Sequence, residues 1–134
     1  MQVDKATNLF TQKDTIENEI KEIFNSIRLL MNEKIIFTFE KETDRYGDEV
    51  TTVYAKNPAS SHKYTVITYD FDNKSIFPVK INDDSDVPWM CNSLEEVNNA
   101  MASYISDDNF MIRLVAISKE KSNETYELDD DIPF

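Results

Sequence analysis

Apolar residues near the N-terminus recur at alternating spacings of four and three, the repeat of one face of an α-helix. They are Ile16, Ile20, Ile23, Ile27 and Leu30, with Phe24 and Met31 widening the stripe. The opposite, polar face carries Glu17, Lys21, Glu22, Asn25 and Arg28. The pattern predicts a long N-terminal helix, capped by Thr11 or Asp14 and ending near Asn32. Because the stripe spans fewer than three heptads, it indicates packing within the chain or a small contact between subunits.

The repeat changes to two after this helix, as in a β-strand with one buried face. Residues 35, 37 and 39 are apolar and alternate with residues 36, 38 and 40 on the other face. Three further strands are predicted over 50–55, 64–71 and 74–81, with a hairpin loop at 44–48. Pro78 places the fourth strand at an edge or a bulge. Because the links are short, we expect antiparallel pairing.

Two more apolar segments follow. Ser93 and Glu96 form a capping box ahead of an amphipathic stretch, which predicts a second helix over about 93–106. Residues 110–117 are apolar on both alternating faces, so we expect a final strand at the centre of the sheet. The order of elements predicts a single α+β domain over residues 1–118, with a mainly antiparallel sheet of about five strands.

The charge of the chain limits its classes of partner. The sequence has 26 acidic and 14 basic residues, a formal net charge of −12. A field of this sign repels nucleic-acid backbones, so we expect no direct nucleic-acid binding. The acidity either maintains solubility or suits a protein that meets basic protein surfaces or imitates DNA.

The sequence features that report on compartment point to the cytoplasm. Cys91 is the only cysteine, so no intrachain disulfide can form, as expected in a reducing environment. The N-terminal residues lack the apolar core of a signal peptide, and no window approaches the ~20 apolar residues of a membrane span. We therefore predict a soluble cytoplasmic protein without membrane attachment.

Residues that carry catalysis or bind metals are scarce. His62 is the only histidine and lies in a polar loop, which is typical of a solvated side chain. Cys91 precedes a helix start, which can lower a thiol pKa, but no further histidine is available as its base. The acidic loop 83–86 lacks the glycine and the distal glutamate of a calcium loop. We predict neither an enzyme nor a cofactor or metal site.

The C-terminal residues have an unusual chemistry. From Lys119 the apolar pattern stops, and 119–134 is predicted to be a disordered acidic tail. Its end, here called the tip, consists of Asp129, Asp130, Asp131, Ile132, Pro133 and Phe134. The Phe134 ring can fill an apolar pocket while its terminal carboxylate pairs with a basic rim group, and Pro133 limits the entropy lost on binding. We predict that the tip binds a partner.

The tip resembles the C-terminal tip of bacterial single-stranded DNA-binding protein, over about the last eight residues. In that family the tip recruits helicases, exonuclease, primosome factors and a clamp-loader subunit. The resemblance implies that this chain occupies the basic, apolar pockets of such DNA-maintenance proteins, as a recruiter or a competitor. The remainder departs from that family, because a long helix and a single glycine stand where an OB-fold and a Gly-, Gln- or Pro-rich linker are found.

The body resembles the mitochondrial acidic matrix protein family, the complement-receptor-like ring trimers, in layout and acidity. A long N-terminal helix, a run of antiparallel strands and a C-terminal helical segment carry this resemblance. It implies a homo-oligomer, a trimer or another ring, with an acidic protein-binding face. The predicted final strand departs from the arrangement of that family.

Two functions follow from these features. The first is a non-enzymatic protein-interaction module that acts through its tip. The alternative is an acidic DNA-mimic inhibitor, in which carboxylates on the body occupy the groove of a nucleic-acid-binding protein.

Overall fold

The computed structural model describes residues 2–72, 75–83 and 87–120. These residues form α1 (Gln2–Leu30), β1 (Ile36–Thr43), β2 (Glu49–Lys56), β3 (Lys63–Asp70), β4 (Val79–Asn82), β5 (Trp89–Cys91), α2 (Leu94–Ile105) and α3 (Asp108–Ser118). The predicted α+β class is confirmed, with its long N-terminal helix, five-stranded antiparallel sheet and second helix near 93–106. Among the described helices, none combines the length and the apolar character that crossing a membrane requires.

The first helix starts earlier than the sequence pattern predicts. It begins at Gln2, so Thr11 and Asp14 lie inside the helix and cap nothing. The first 13 residues have no apolar periodicity, but they contain no glycine or proline that would end a helix. The predicted length of the helix was too short because the prediction rested on the apolar stripe, which begins only at Ile16.

The apolar stripe of α1 packs onto the sheet of its own chain. Four of its members, Ile16, Ile20, Phe24 and Ile27, are buried. The Phe24 ring lies 4.9 Å from the Phe37 ring and 5.9 Å from the Phe39 ring, measured between centroids. Leu30, the last member, is 81% exposed. Of the two arrangements that the stripe allowed, packing within the chain is the one observed.

The five strands lie in the order β1-β2-β3-β4-β5, and each neighbouring pair is antiparallel. The register places Val53 of β2 opposite Phe39 of β1 and Ile67 of β3, so these three side chains share one face. That face forms the core with residues of all three helices, including Val97 and Leu114. A binding site can therefore lie on the open face of the sheet, at its edges, or where the helices leave part of the sheet uncovered.

The last two strands are short. The predicted fourth strand over 74–81 is observed only from Val79, after a cis Phe77–Pro78 peptide. β5 was not predicted, because its three residues are too few to show an alternating pattern. β5 pairs with β4 and forms one edge of the sheet, and β1 forms the other. β4 therefore lies inside the sheet and is not an edge strand, and Pro78 precedes it.

Residues 110–117 belong to helix α3, so the prediction of a central final strand is wrong. Asp107 caps the N-terminus of this helix. Phe110 and Leu114 are buried, whereas Ile112 between them is 65% exposed. The segment is apolar at nearly every position, so repeats of 2 and 3.6 fit it about equally, and periodicity alone cannot separate strand from helix.

Candidate functional site

The predicted partner-binding residues, Asp129, Asp130, Asp131, Ile132, Pro133 and Phe134, lie outside the described residues, which end at Glu120. Residues 84–86 of the acidic loop also lie outside them. The structure does describe the place where the chain leaves α3 toward the tip. That place adjoins a cavity, and the two together form the candidate site.

Asn57, which follows β2, fastens the C-terminal end of α3. Its Nδ2 donates to the carbonyl oxygens of Ile117 at 2.9 Å, Ser118 at 3.2 Å and Glu120 at 3.0 Å. Its Oδ1 accepts from the Ala59 amide at 2.8 Å, and the residue is 6% exposed. The last carbonyls of a helix have no partner within the helix, so this amide supplies the donors they need. The point from which the last residues depart is thereby held against the sheet.

A cavity of about 400 Å³ lies between α3 and the start of β3. We call it the groove; it is lined by Tyr64, Thr65, Val66, Phe110, Arg113, Leu114, Ala116, Ile117 and Glu120. Most of these side chains are apolar, while charge comes only from Arg113 and Glu120. A concave apolar surface with a few polar groups at its rim is typical of a site that binds a small molecule or a short peptide.

The groove follows a stretch of β3 that β4 does not cover. Within the described residues, β4 pairs with β3 only over Thr68–Asp70. A register shift opposite Val53 and Tyr54 leaves Val66 without a partner on β2. Bulges of this kind bend a strand and commonly lie next to binding sites. Here the bulge opens the start of β3 toward α3.

Arg113 is held at the groove by a chain of hydrogen bonds. Its Nη2 donates to the Tyr104 hydroxyl at 2.9 Å, and that hydroxyl donates to the Val66 carbonyl at 2.9 Å. Tyr104 is 4% exposed, so the chain links a buried strand carbonyl to an exposed guanidinium. No carboxylate of the described residues lies within 4.0 Å of Arg113. The guanidinium is therefore oriented and has donors left for an anionic ligand.

Tyr64 and Glu120, which also line the groove, contact each other. The Tyr64 hydroxyl donates a hydrogen bond to the Glu120 carboxylate. This hydrogen bond raises the pKa of Tyr64, because an ionised phenol would lose the bond and face a second negative charge. The Glu120 carboxylate is thus engaged by a neighbour in the lining of the groove.

Basic residues gather at the end of the sheet where the groove lies. β2 ends at Lys56 opposite Lys63 at the start of β3, and Lys119 follows the last residue of α3. Lys63 is paired with Glu40, whereas Lys56 and Lys119 have no carboxylate within 4.0 Å among the described residues. Although the chain as a whole is strongly acidic, this end presents positive charge.

The opposite end of the sheet is acidic. The β1–β2 hairpin contributes Asp44, Asp48 and Glu49, and β3 ends there at Asp70. Burial raises the pKa of Asp70, and the nearby charges of Asp48 and Asp44 raise it further against an opposing effect of Lys80. Two lysines also lie at this end, because Lys13 and Lys41 both pair with Glu49.

A second cavity of about 250 Å³ lies between α1 and β1. Its lining is Lys21, Phe24, Asn25, Arg28, Phe37 and Phe39. Arg28 donates to Glu33 at 2.5 Å and to Asn25 at 3.0 Å, so its guanidinium is already engaged. This cavity is smaller than the groove and its arginine has less capacity for a ligand.

Of the other residues with catalytic chemistry, Cys91 is buried and His62 packs against a residue that lines the groove. Cys91 is 2% exposed, and burial together with Glu96 raises its thiol pKa, which disfavours the reactive thiolate. The His62 ring packs edge-on against Tyr64 with centroids 4.6 Å apart. Among the described residues, no group of three or more histidines, cysteines or carboxylates is placed to hold a metal ion.

Sequence patterns missed the residues of the groove. Arg113 was read as one face of a strand, which separates it from Phe110 and Leu114. In a helix, Arg113 lies three positions after Phe110 and one position before Leu114. The three side chains are therefore on neighbouring faces and can meet the start of β3. Asp107 as an N-cap was the signal that would have indicated the helix.

No protein-family model, no curated protein and no solved structure matches this chain.

Proposed function

We propose that the chain is a non-enzymatic protein-interaction module whose tip, Asp129–Phe134, binds bacterial DNA-maintenance proteins that recognise the tip of single-stranded DNA-binding protein. The observation that carries this proposal is the chemistry of the tip. Three aspartates precede an isoleucine, a proline and a phenylalanine. An aromatic ring, a stiff backbone and adjacent negative charge are the elements that a basic, apolar pocket recognises.

The composition of the last 14 residues, and the way the described chain ends before them, support the same proposal. The 14 residues after Glu120 carry five acidic side chains and one lysine. They follow a helix end that Asn57 holds against the sheet. A fully extended chain of that length spans about 50 Å, so the tip can contact a partner well away from the body. In this arrangement the folded body anchors the last 14 residues and contributes its own charged surface.

The expected affinity of the tip is modest. Only three apolar side chains are available for burial, so the dissociation constant should be on the order of micromolar. The aspartates should accelerate encounter with a basic surface, and that contribution should weaken as salt concentration rises. Recruitment and competition are both compatible with such an affinity, since each depends on local concentration.

The test uses a bacterial exonuclease or helicase that binds the tip of single-stranded DNA-binding protein. Binding of the full chain is measured by calorimetry and compared with Phe134→Ala and with a chain carrying one extra residue after Phe134. Tyr126→Ala is the matched control, because it removes an aromatic ring outside the tip. We expect both tip variants to lose at least tenfold in affinity, and the control to bind as the original chain does.

A competition experiment completes the test. A free Asp-Asp-Asp-Ile-Pro-Phe peptide should displace the chain from the partner. Equal binding by the intact chain and the tip variants would overturn the proposal. If binding instead fell when Asp44 and Asp48 were changed to lysine, the DNA-mimic function would be favoured, because those carboxylates belong to the acidic end of the body.

A further inference from the structure

We infer that the groove is itself a binding site for an acidic peptide that ends in an apolar aromatic residue, and that its occupant is the Ile132-Pro133-Phe134 end of the same chain. This inference rests on the proposed function only in treating the tip as a docking peptide. It adds a regulatory consequence: a partner must compete with the groove for the tip.

The size and lining of the groove fit such an occupant. A cavity of roughly 150 Å³ is enough to hold a benzene ring. The groove encloses about 400 Å³, which leaves space for a phenyl ring and for part of a second apolar side chain. Its walls include Val66, Phe110, Leu114 and Ile117, so a bound ring would meet apolar carbon on several sides. Aromatic pairing with Phe110 adds to the burial of apolar area.

Charge complementarity points to an acidic peptide such as the tip, which carries three aspartates. Arg113 lines the groove and has no carboxylate partner among the described residues. Its orientation is set by Tyr104, so little side-chain entropy is lost when it binds an anion. Lys56 and Lys119, at the same end of the sheet, are placed to attract the aspartates of the tip. Glu120, the one acidic residue of the lining, is engaged by Tyr64.

The chain can reach the groove from its own end. Glu120 lines the groove, and Phe134 follows it by 14 residues. That segment spans at most about 50 Å, which allows it to leave the groove and return. A short tether of this kind gives an effective concentration on the order of millimolar. A tip with micromolar to millimolar intrinsic affinity would therefore occupy the groove for much of the time.

The second cavity is the weaker alternative and supplies the control. It also has an apolar floor and an arginine, but Arg28 already donates to Glu33 and Asn25. Arg28→Ala therefore removes the same side chain and the same charge as Arg113→Ala. Only Arg113→Ala should lower the occupancy of the groove by the tip.

The first experiment uses nuclear magnetic resonance on the full chain. The spectra of the original chain and of Phe134→Ala are compared at several protein concentrations. We expect shift differences at Thr65, Val66 and the α3 residues of the groove, and nuclear Overhauser contacts from the Phe134 ring to the methyl groups of Val66 and Leu114. Identical spectra at the groove, with no such contacts, would overturn the inference.

Two pairs of variants then probe the groove directly. Ala116 lines the groove and is exposed, so Ala116→Glu adds bulk and negative charge without disturbing the core. Ala102 is exposed on α2, which makes Ala102→Glu the matched control. Ala116→Glu should abolish the Phe134 contacts, and Arg113→Ala should lower the equilibrium constant between the occupied and the empty groove about 5-fold. Ala102→Glu and Arg28→Ala should leave occupancy unchanged, and equal effects within either pair would overturn the inference.

The same variants separate this inference from the proposed function. If the tip competes between groove and partner, Ala116→Glu should bind the exonuclease or helicase at least about twofold more tightly than the original chain. Groove contacts without partner binding would leave the inference standing and defeat the proposed function. Partner binding without groove contacts would defeat this inference and leave the proposed function standing. Contacts that disappear on dilution would overturn the intramolecular assignment in favour of a second copy of the chain.

Discussion

The Tyr69 hydroxyl donates a hydrogen bond of 3.3 Å to the Glu17 carboxylate, 52 residues earlier in the chain. Lys41 also contacts this carboxylate, at 3.1 Å. Glu17 is 6% exposed and Tyr69 is fully buried. A buried carboxylate is tolerated where a cation and further hydrogen bonds compensate its lost hydration. This buried group therefore has a structural explanation, and it joins α1 to the middle of the sheet.

This pair predicts a specific loss of stability at alkaline pH. Burial, and then the charge of Glu17, raise the pKa of Tyr69 above that of an unfolded tyrosine, which is about 10. Below that pH both states hold the proton and the free energy of unfolding does not depend on this group. Above it the unfolded state releases its proton first, so stability falls by up to about 1.4 kcal/mol per pH unit.

The measurement is urea denaturation from pH 8 to pH 11. Tyr69→Phe should flatten the fall in the free energy of unfolding above pH 10. Tyr46 is 78% exposed, so Tyr46→Phe should leave the slope as it is. A slope that is the same in the original chain and in Tyr69→Phe would contradict the predicted role of this hydroxyl.

Asn57 should be a major determinant of stability near the exit of the chain. Asn57→Asp preserves shape but replaces the donor of three hydrogen bonds by an acceptor. We expect a loss of about 2–3 kcal/mol in the free energy of unfolding, because one buried and two partly buried carbonyls lose their donor and face a carboxylate instead. Asn99→Asp makes the same chemical change at an exposed position of α2 and should cost less than about 0.5 kcal/mol. Denaturant titrations that show equal effects would refute this assignment.

The helical form of residues 108–118 can be tested by two alanine substitutions. In a strand, Ile112 and Leu114 would share a face, whereas in α3 Leu114 is 2% exposed and Ile112 is 65% exposed. Leu114→Ala should therefore cost about 2–4 kcal/mol, and Ile112→Ala less than about 0.5 kcal/mol. Thermal unfolding of the two variants gives the comparison, and similar destabilisation by both would argue for the strand.

The elements with one buried face could be predicted from the sequence. The stripe of α1 and the alternation of residues 35–40 identify their elements, because one side chain in every two or in every three to four faces the core. The start of α2 was also predictable. Ser93 accepts a hydrogen bond from the Glu96 amide at 3.1 Å, as its position in a capping box implies.

Other features of the fold were not predicted, because the spacing of apolar residues does not encode them. β5 has three residues and no pattern, and residues 110–117 are too uniformly apolar to show one repeat alone. Glu17 was assigned to the polar face of α1, but it is buried because Lys41 and Tyr69 meet it there. A charge can be buried only where partners from distant parts of the chain converge, which no local pattern reveals.

The class of fold, the acidity of the chain and the chemistry of the tip can be derived from the sequence alone, because each is a property of residue types and their local spacing. The grouping of Tyr64, Arg113 and Glu120 around one groove, beside the point where the chain leaves α3, depends on how the elements pack in three dimensions. These residues come from segments about 50 positions apart in the sequence. They meet because the helical repeat of α3 and the bulge in β3 together leave that part of the sheet uncovered.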